Sequence, residues 1–174
     1  MHVALLKASD AIQYRKVMLQ AYEFAADAFT STAEEREAEP ESFWVKRIAD
    51  PSGMSAAFGA FEGRELVGTV ALEFSSKSKT KHKASVIGMY ALTEARGIGA
   101  GRALLQAAVE YARAREGTLQ LTLTVTEGNA PAVSLYTSAG FQSFGIAPMA
   151  ILTPGGYKAK IHMWLPLQSN ASAA

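Results

Sequence analysis

Three glycines at alternate positions, Gly97, Gly99 and Gly101, stand between an apolar run that ends at Leu92 and a long stretch rich in alanine and leucine. The pattern predicts a strand, a tight turn and a helix in immediate succession. Without Cβ atoms, the turn lets a ligand come close to the backbone. The first N–H groups of a helix have no intrahelical partner, and its dipole places partial positive charge there. Together these features make a cradle for an anion, most naturally a phosphate or pyrophosphate. Arg96 and Arg102 flank it with guanidinium groups, which can hold phosphate oxygens two at a time.

Two commoner nucleotide motifs do not fit. The dinucleotide fingerprint Gly-x-Gly-x-x-Gly, counted from Gly97, puts Arg102 where its third glycine belongs, and from Gly99 the Ala100-Gly101 pair breaks the spacing. A P-loop needs a Gly-Lys-Ser/Thr ending that is absent here. What remains is Arg-x-x-Gly-x-Gly, written Arg96-Gly97-Ile98-Gly99-Ala100-Gly101. Taken alone, it also fits a strand–turn–helix whose glycines merely allow close packing.

The 174 residues suit one domain over residues 1–167, with a polar tail at 168–174 expected to be disordered. A net charge of +1 gives no electrostatic case for nucleic acid or for a membrane surface. With no cysteine, thiolate catalysis and disulfides are excluded, and His2, His82 and His162 lie too far apart in sequence to suggest a metal site. No apolar run is long enough to span a membrane, and the N-terminus has no signal-like segment, so a cytoplasmic location is expected.

Along the chain, His2–Lys7 reads as a strand, and Asp10 with Gln13 as a capping box that opens a helix to about Ala28. Tyr14, Met18, Ala21, Tyr22 and Ala25 form one stripe at helical spacing. Ser31 with Glu34 suggests a second cap, and Pro40 a further helix carrying Phe43, Trp44 and Ile48. Residues 54–61 and 65–74 read as a hairpin, 84–92 as a strand apolar on both faces, and 119–125 as a strand with one drier face. Asn129 and Pro131 begin a short helix that Gly140 ends, and residues 141–146 and 157–165 are the last strands. The lysines between Ser75 and Lys83 fit a solvated loop rather than a nucleic-acid site, since no aromatics interleave them.

A second motif lies a helix and a strand beyond the first: Asn-x-x-Ala-x-x-Leu-Tyr-x-x-x-Gly-Phe, from Asn129 through Ala132, Leu135, Tyr136 and Gly140 to Phe141. The two motifs in this order resemble the signatures of the GNAT superfamily of N-acetyltransferases, the first being similar to its coenzyme A pyrophosphate loop. The resemblance implies an α/β (α+β) fold, with a mixed, twisted sheet of six or seven strands and helices on both faces. It implies that the strands at 84–92 and 119–125 splay apart to admit the pantetheine arm. Acetyl-CoA is then the cofactor, held by Met89, Tyr90, Ala91, the Arg96–Arg102 loop (Gly97, Ile98, Gly99, Ala100 and Gly101 between the arginines), Asn129 and Tyr136. Two positions depart from the family pattern: Ala91 stands where valine is frequent, and Thr93 where proline is.

Acetyl transfer requires an unprotonated amine, a stabilised oxyanion and protonation of the departing thiolate. The resemblance puts Tyr136 beside the sulfur as the acid and the backbone N–H groups of Met89–Ala91 at the oxyanion. Glu73 and His82 are the base candidates, with ordered water as the alternative. The resemblance also implies that the segment from Phe29 to Glu39 walls the acceptor side, where Glu34 or Glu35 would draw in a cationic amine. That amine can be a small molecule or a protein group, a homodimer is open to the chain, and the competing function is a non-catalytic acyl-CoA sensor of the same fold.

Overall fold

The computed structural model describes residues 1–167, and the expected tail at 168–174 lies outside the described residues. The elements run β1 (His2–Leu5), α1 (Ala11–Phe24), α2 (Ala33–Glu37), α3 (Glu41–Ile48), β2 (Ser55–Glu62), β3 (Glu65–Phe74), β4 (Lys83–Ala91), α4 (Ala100–Ala114), β5 (Gln120–Thr126), α5 (Ala130–Ser138), β6 (Gln142–Thr153) and β7 (Gly156–Pro166). They build one seven-stranded sheet in the order β1-β2-β3-β4-β5-β7-β6. Every neighbouring pair is antiparallel except β4 and β5, which run parallel. The mixed sheet with helices on both faces is the architecture that the resemblance implied.

Each face of the sheet buries its own core. On one side Tyr14, Val17, Met18 and Ala21 of α1 pack with Trp44 and Ile48 of α3. On the other, Leu104, Leu105, Ala108 and Ala112 of α4 lie against Val70, Leu72 and Val86 of the sheet, with Tyr136 and Phe141 beyond them. The helical stripes of α1 and α4 are therefore two separate apolar seams, one for each face.

Between these cores the sheet is incomplete. The parallel strands β4 and β5 pair over only three rungs, Lys83–Gln120, Ala84–Leu121 and Ser85–Thr122. Beyond Ser85 they part, while β4 stays paired to β3 and β5 to β7 along their outer edges. A bulge accompanies the parting: the β3–β4 register shifts between Thr69 and Ala71, and Gly88 adopts a φ of +58°. Such a bulge bends its strand and turns its free edge, and a residue with a Cβ would be strained in that conformation.

Several local expectations shift. Asp10 does not cap α1 with its side chain; its carboxylate accepts the Lys7 N–H at 2.7 Å and closes a preceding 3-10 turn. Gln13 instead ties α1 to the β2–β3 hairpin, accepting the Leu66 N–H at 2.9 Å and donating to the Arg64 carbonyl at 3.3 Å. The first helix ends at Phe24, and Ala26–Ala28 form a separate 3-10 turn. The capping box of α2 is Thr32 with Glu35, one residue beyond the expected Ser31 and Glu34. The strand expected at 141–146 continues to Thr153, past Pro148 and a Met149 with φ of 48°, as an outer strand can.

Candidate functional site

The gap between β4 and β5 opens into a cavity of about 310 Å³. Val86, Ile87, Gly88 and Met89 line it from β4, and Thr124, Val125 and Thr126 from β5. Backbone on the β5-facing edge of β4 is thus left without a strand partner and faces the cavity. Asn129, Ala132, Leu135 and Tyr136 close one end from α5, and Tyr22, Phe29, Ser31 and Arg36 close the other from the α1–α2 side.

Helix α5 is fixed at both ends. The Asn129 carboxamide accepts the Ala132 N–H at 3.2 Å, Pro131 occupies the first turn, and Gly140, at φ +96°, turns the chain out. The helix therefore holds Tyr136 inward, 7% exposed, with its ring edge-on to Phe141 at 5.8 Å between centroids.

The glycine loop lies beside this end of the cavity. Gly99 is the N-cap of α4 in the left-handed conformation, φ +90°, and the first bond at that end is Ala103 N–H to the Gly99 carbonyl at 3.0 Å. By helix geometry, the N–H groups of Ala100, Gly101 and Arg102 have no partner within the helix. A Cβ placed on Gly97 or Gly99 would meet nothing within 4 Å, so the space before the loop is open. One placed on Gly101 would lie 3.4 Å from Leu135 and 3.5 Å from Met89, both of which line the cavity, so the start of α4 adjoins the cavity wall.

The expected site residues divide into groups. Met89, Asn129, Tyr136 and Phe29 line the cavity. Tyr90 and Ala91 continue β4 past it, where Arg96 lies over the Tyr90 ring at 5.5 Å and donates from Nε to the Ala91 carbonyl at 3.0 Å. Arg96 thus ties the loop to the end of the strand, while Gly97, Ile98 and Arg102 are exposed and Ala100 is buried. Glu73 lies outside the cavity, with its carboxylate 3.5 Å from Arg47, which does line it. His82 stands at the foot of the β4–β5 pairing, where its carbonyl accepts Leu119 N–H at 2.8 Å. Glu34 and Glu35 are also outside the lining, and Glu35 accepts the Thr32 N–H in the α2 cap. Arg36, Arg47, Gly88 and Lys160 line the cavity without having been singled out by sequence. Only Gly88 carried a local signal, a lone glycine within an apolar strand.

Burial alone pushes the Tyr136 hydroxyl up to about 12. Tyr14, fully buried under Gly88, reaches about 12 mainly through burial, against the opposing pull of the Arg47 guanidinium. Both native tyrosines hold their protons more tightly than the unfolded chain does. Their contribution to stability is therefore complete below pH 10 and is lost as pH rises toward 12. Each should add a slope of about 1.4 kcal/mol per pH unit across that window. Denaturant unfolding at a series of alkaline pH values should show the decline, and Tyr14→Phe with Tyr136→Phe should flatten it; an unchanged slope would refute the assignment.

Among the described residues, no group of three or more His, Asp or Glu is arranged to hold a metal, and no helix is long and apolar enough to cross a membrane.

Comparison with known proteins agrees with this geometry. A structure of a GCN5-related N-acetyltransferase from Kribbella flavida is 25% identical, with a TM-score of 0.80 over 95% of this chain and 96% of that one. The protein yncA from Salmonella typhimurium, solved with its cofactor acetyl-CoA, is 19% identical, with a TM-score of 0.81 over 100% of this chain and 98% of that one. A ribosomal-protein-alanine N-acetyltransferase from Brucella melitensis is 22% identical, with a TM-score of 0.79 over 95% of this chain and 99% of that one. No curated protein matches the chain. The model of the acetyltransferase (GNAT) family matches residues 18–141, a span that runs from α1 through both sequence motifs, and the chain belongs to that family.

Proposed function

We propose that this protein moves an acetyl group from acetyl-CoA directly to a primary amine, with both substrates bound together. The observation that carries the reading is the meeting of three features at one gap: unpaired β4 backbone, the inward-facing Tyr136, and the open glycine start of α4 alongside. Acetyl-CoA supplies the acetyl group as a thioester and leaves as a free thiol. In this reading the N–H groups from Gly97 to Arg102 hold the pyrophosphate, with the Arg96 and Arg102 side chains adding charge.

The free edge of β4 at Met89 takes the place of a strand partner for the pantetheine arm, and a backbone N–H there donates to the carbonyl oxygen as charge builds on it. The amine nitrogen forms the new C–N bond, the C–S bond breaks, and the Tyr136 hydroxyl donates to the departing sulfur. The amine proton passes to water. Glu73 is the weaker base candidate, because its carboxylate already faces Arg47.

The test is thiol release from acetyl-CoA in the presence of a panel of amines. The chain has no cysteine, so the protein adds no thiol background. Amine-dependent release is expected; tight acetyl-CoA binding without it, across the panel, would leave the chain a sensor of acyl-CoA.

A further inference from the structure

The side chains that bring charge to the cavity are all basic. Arg36 reaches it from α2, Arg47 from α3 and Lys160 from β7, and no aspartate or glutamate lines it. The two arginines are loosely balanced from outside, Arg36 by Glu39 at 3.6 Å and Arg47 by Glu73 at 3.5 Å. Both guanidinium groups lie over the Phe43 ring, at 4.8 and 5.9 Å from its centroid, and Arg36 Nε is buried without a hydrogen-bond partner.

Lys160 is the sharper case. Its neighbour on the same face of β7, Lys158, is neutralised by Asp27 at 2.6 Å. Lys160 has no carboxylate within 4.0 Å among the described residues, and burial lowers the pKa of its ammonium. It pairs in register with Thr126, whose hydroxyl donates to the Asp27 carbonyl at 2.6 Å, so it stands on the α1–α2 side of the gap. A partly desolvated cation without a counter-ion is costly unless an incoming anion completes it.

We infer that the acceptor is a small amine that also carries a carboxylate, an amino-acid-like molecule whose carboxylate is held by Lys160 with Arg36 and Arg47. The inference rests on the acetyl-transfer reading for the identity of the site. The same positive wall has a second effect: it disfavours the ammonium form of the amine and so favours the neutral form that can attack. A carboxylate at the far end of the molecule keeps binding favourable while that happens. Glu34 and Glu35, expected to recruit a cationic amine, line none of this cavity.

The test uses product-like ligands, so that it does not depend on turnover. N-acetylalanine, N-acetylleucine and N-acetylphenylalanine, each beside its carboxamide, are titrated calorimetrically into the CoA-saturated protein. At least one carboxylate should bind about tenfold more tightly than its carboxamide, the worth of one partly shielded charge pair. Lys160→Gln should remove that preference, Lys160→Arg should keep it, and neither should change acetyl-CoA affinity. Absence of any carboxylate preference would overturn the inference. So would a preference that survives Lys160→Gln, or a Lys160→Gln protein that instead loses acetyl-CoA, since the cations would then serve the donor. A Lys160-dependent carboxylate preference without amine-dependent thiol release would keep the carboxylate subsite but refute acetyl transfer, and with it the assignment of the bound molecule as an acceptor.

Discussion

Gly99→Asp should lower acetyl-CoA affinity by roughly a hundred- to a thousandfold, the cost expected when a like charge is brought within a few ångströms of a partly shielded phosphate. Aspartate is ordinarily a good N-cap, because its carboxylate accepts the first helical N–H groups. At Gly99 that capability becomes the problem: the new carboxylate would occupy the donors proposed for the pyrophosphate. The fold should tolerate the change. A Cβ there meets nothing within 4 Å, and the φ of +90° adds strain of about 1–3 kcal/mol. Gly101→Asp should weaken binding as well, but its side chain would press on Leu135 and Met89, so Gly99 is the cleaner site. Unchanged calorimetric affinity in folded Gly99→Asp protein would remove the loop from the cofactor site.

Tyr136→Phe should reduce kcat by roughly ten- to a thousandfold, the range typical of a lost proton donor. Acetyl-CoA affinity should hold, since the ring and its edge-on contact with Phe141 survive the substitution. With its pKa near 12, the hydroxyl stays protonated at neutral pH, but a resting alkyl thiolate, a weaker base than this tyrosinate, cannot take its proton outright. The help must come as the C–S bond breaks, when a short hydrogen bond to the sulfur is worth most. It follows that the rate should not fall through the ordinary tyrosine range on account of Tyr136. Wild-type kcat in the variant, with chemistry rate-limiting, would return Tyr136 to a packing role.

The parts of this molecule that could be read from sequence are those whose constraints are local. The Arg96–Gly101 loop and the Asn129–Phe141 helix each place cap, turn and side chain within a few residues, and their order along the chain carried the family resemblance, which in turn implied the opening between β4 and β5. Local rules failed where two placements satisfied them equally. Ser31 with Glu34 and Thr32 with Glu35 have the same spacing, and the structure uses the second. They failed again where a distant partner was available, as when Gln13 left its expected cap for the Leu66 N–H. The charge of the cavity was hidden most deeply. Arg36 and Arg47 sit on consecutive helices, but most of the chain separates them from Lys160 on β7, and no short sequence window contains all three. The acidic run from Glu34 to Glu41 was visible in the sequence, yet none of its carboxylates lines the cavity.

The parting of β4 from β5 lets one cavity take its walls from both faces of the sheet. Residues from the α1–α2 side wall one end, and α5, beside the start of α4, walls the other. If the two substrates approach from these opposite ends, neither has to wait for the other to leave. On the proposed function, initial-rate patterns should be those of a sequential mechanism, and either product should be free to depart first. Substitutions that widen or fill one end should then change the KM of one substrate and leave that of the other unchanged.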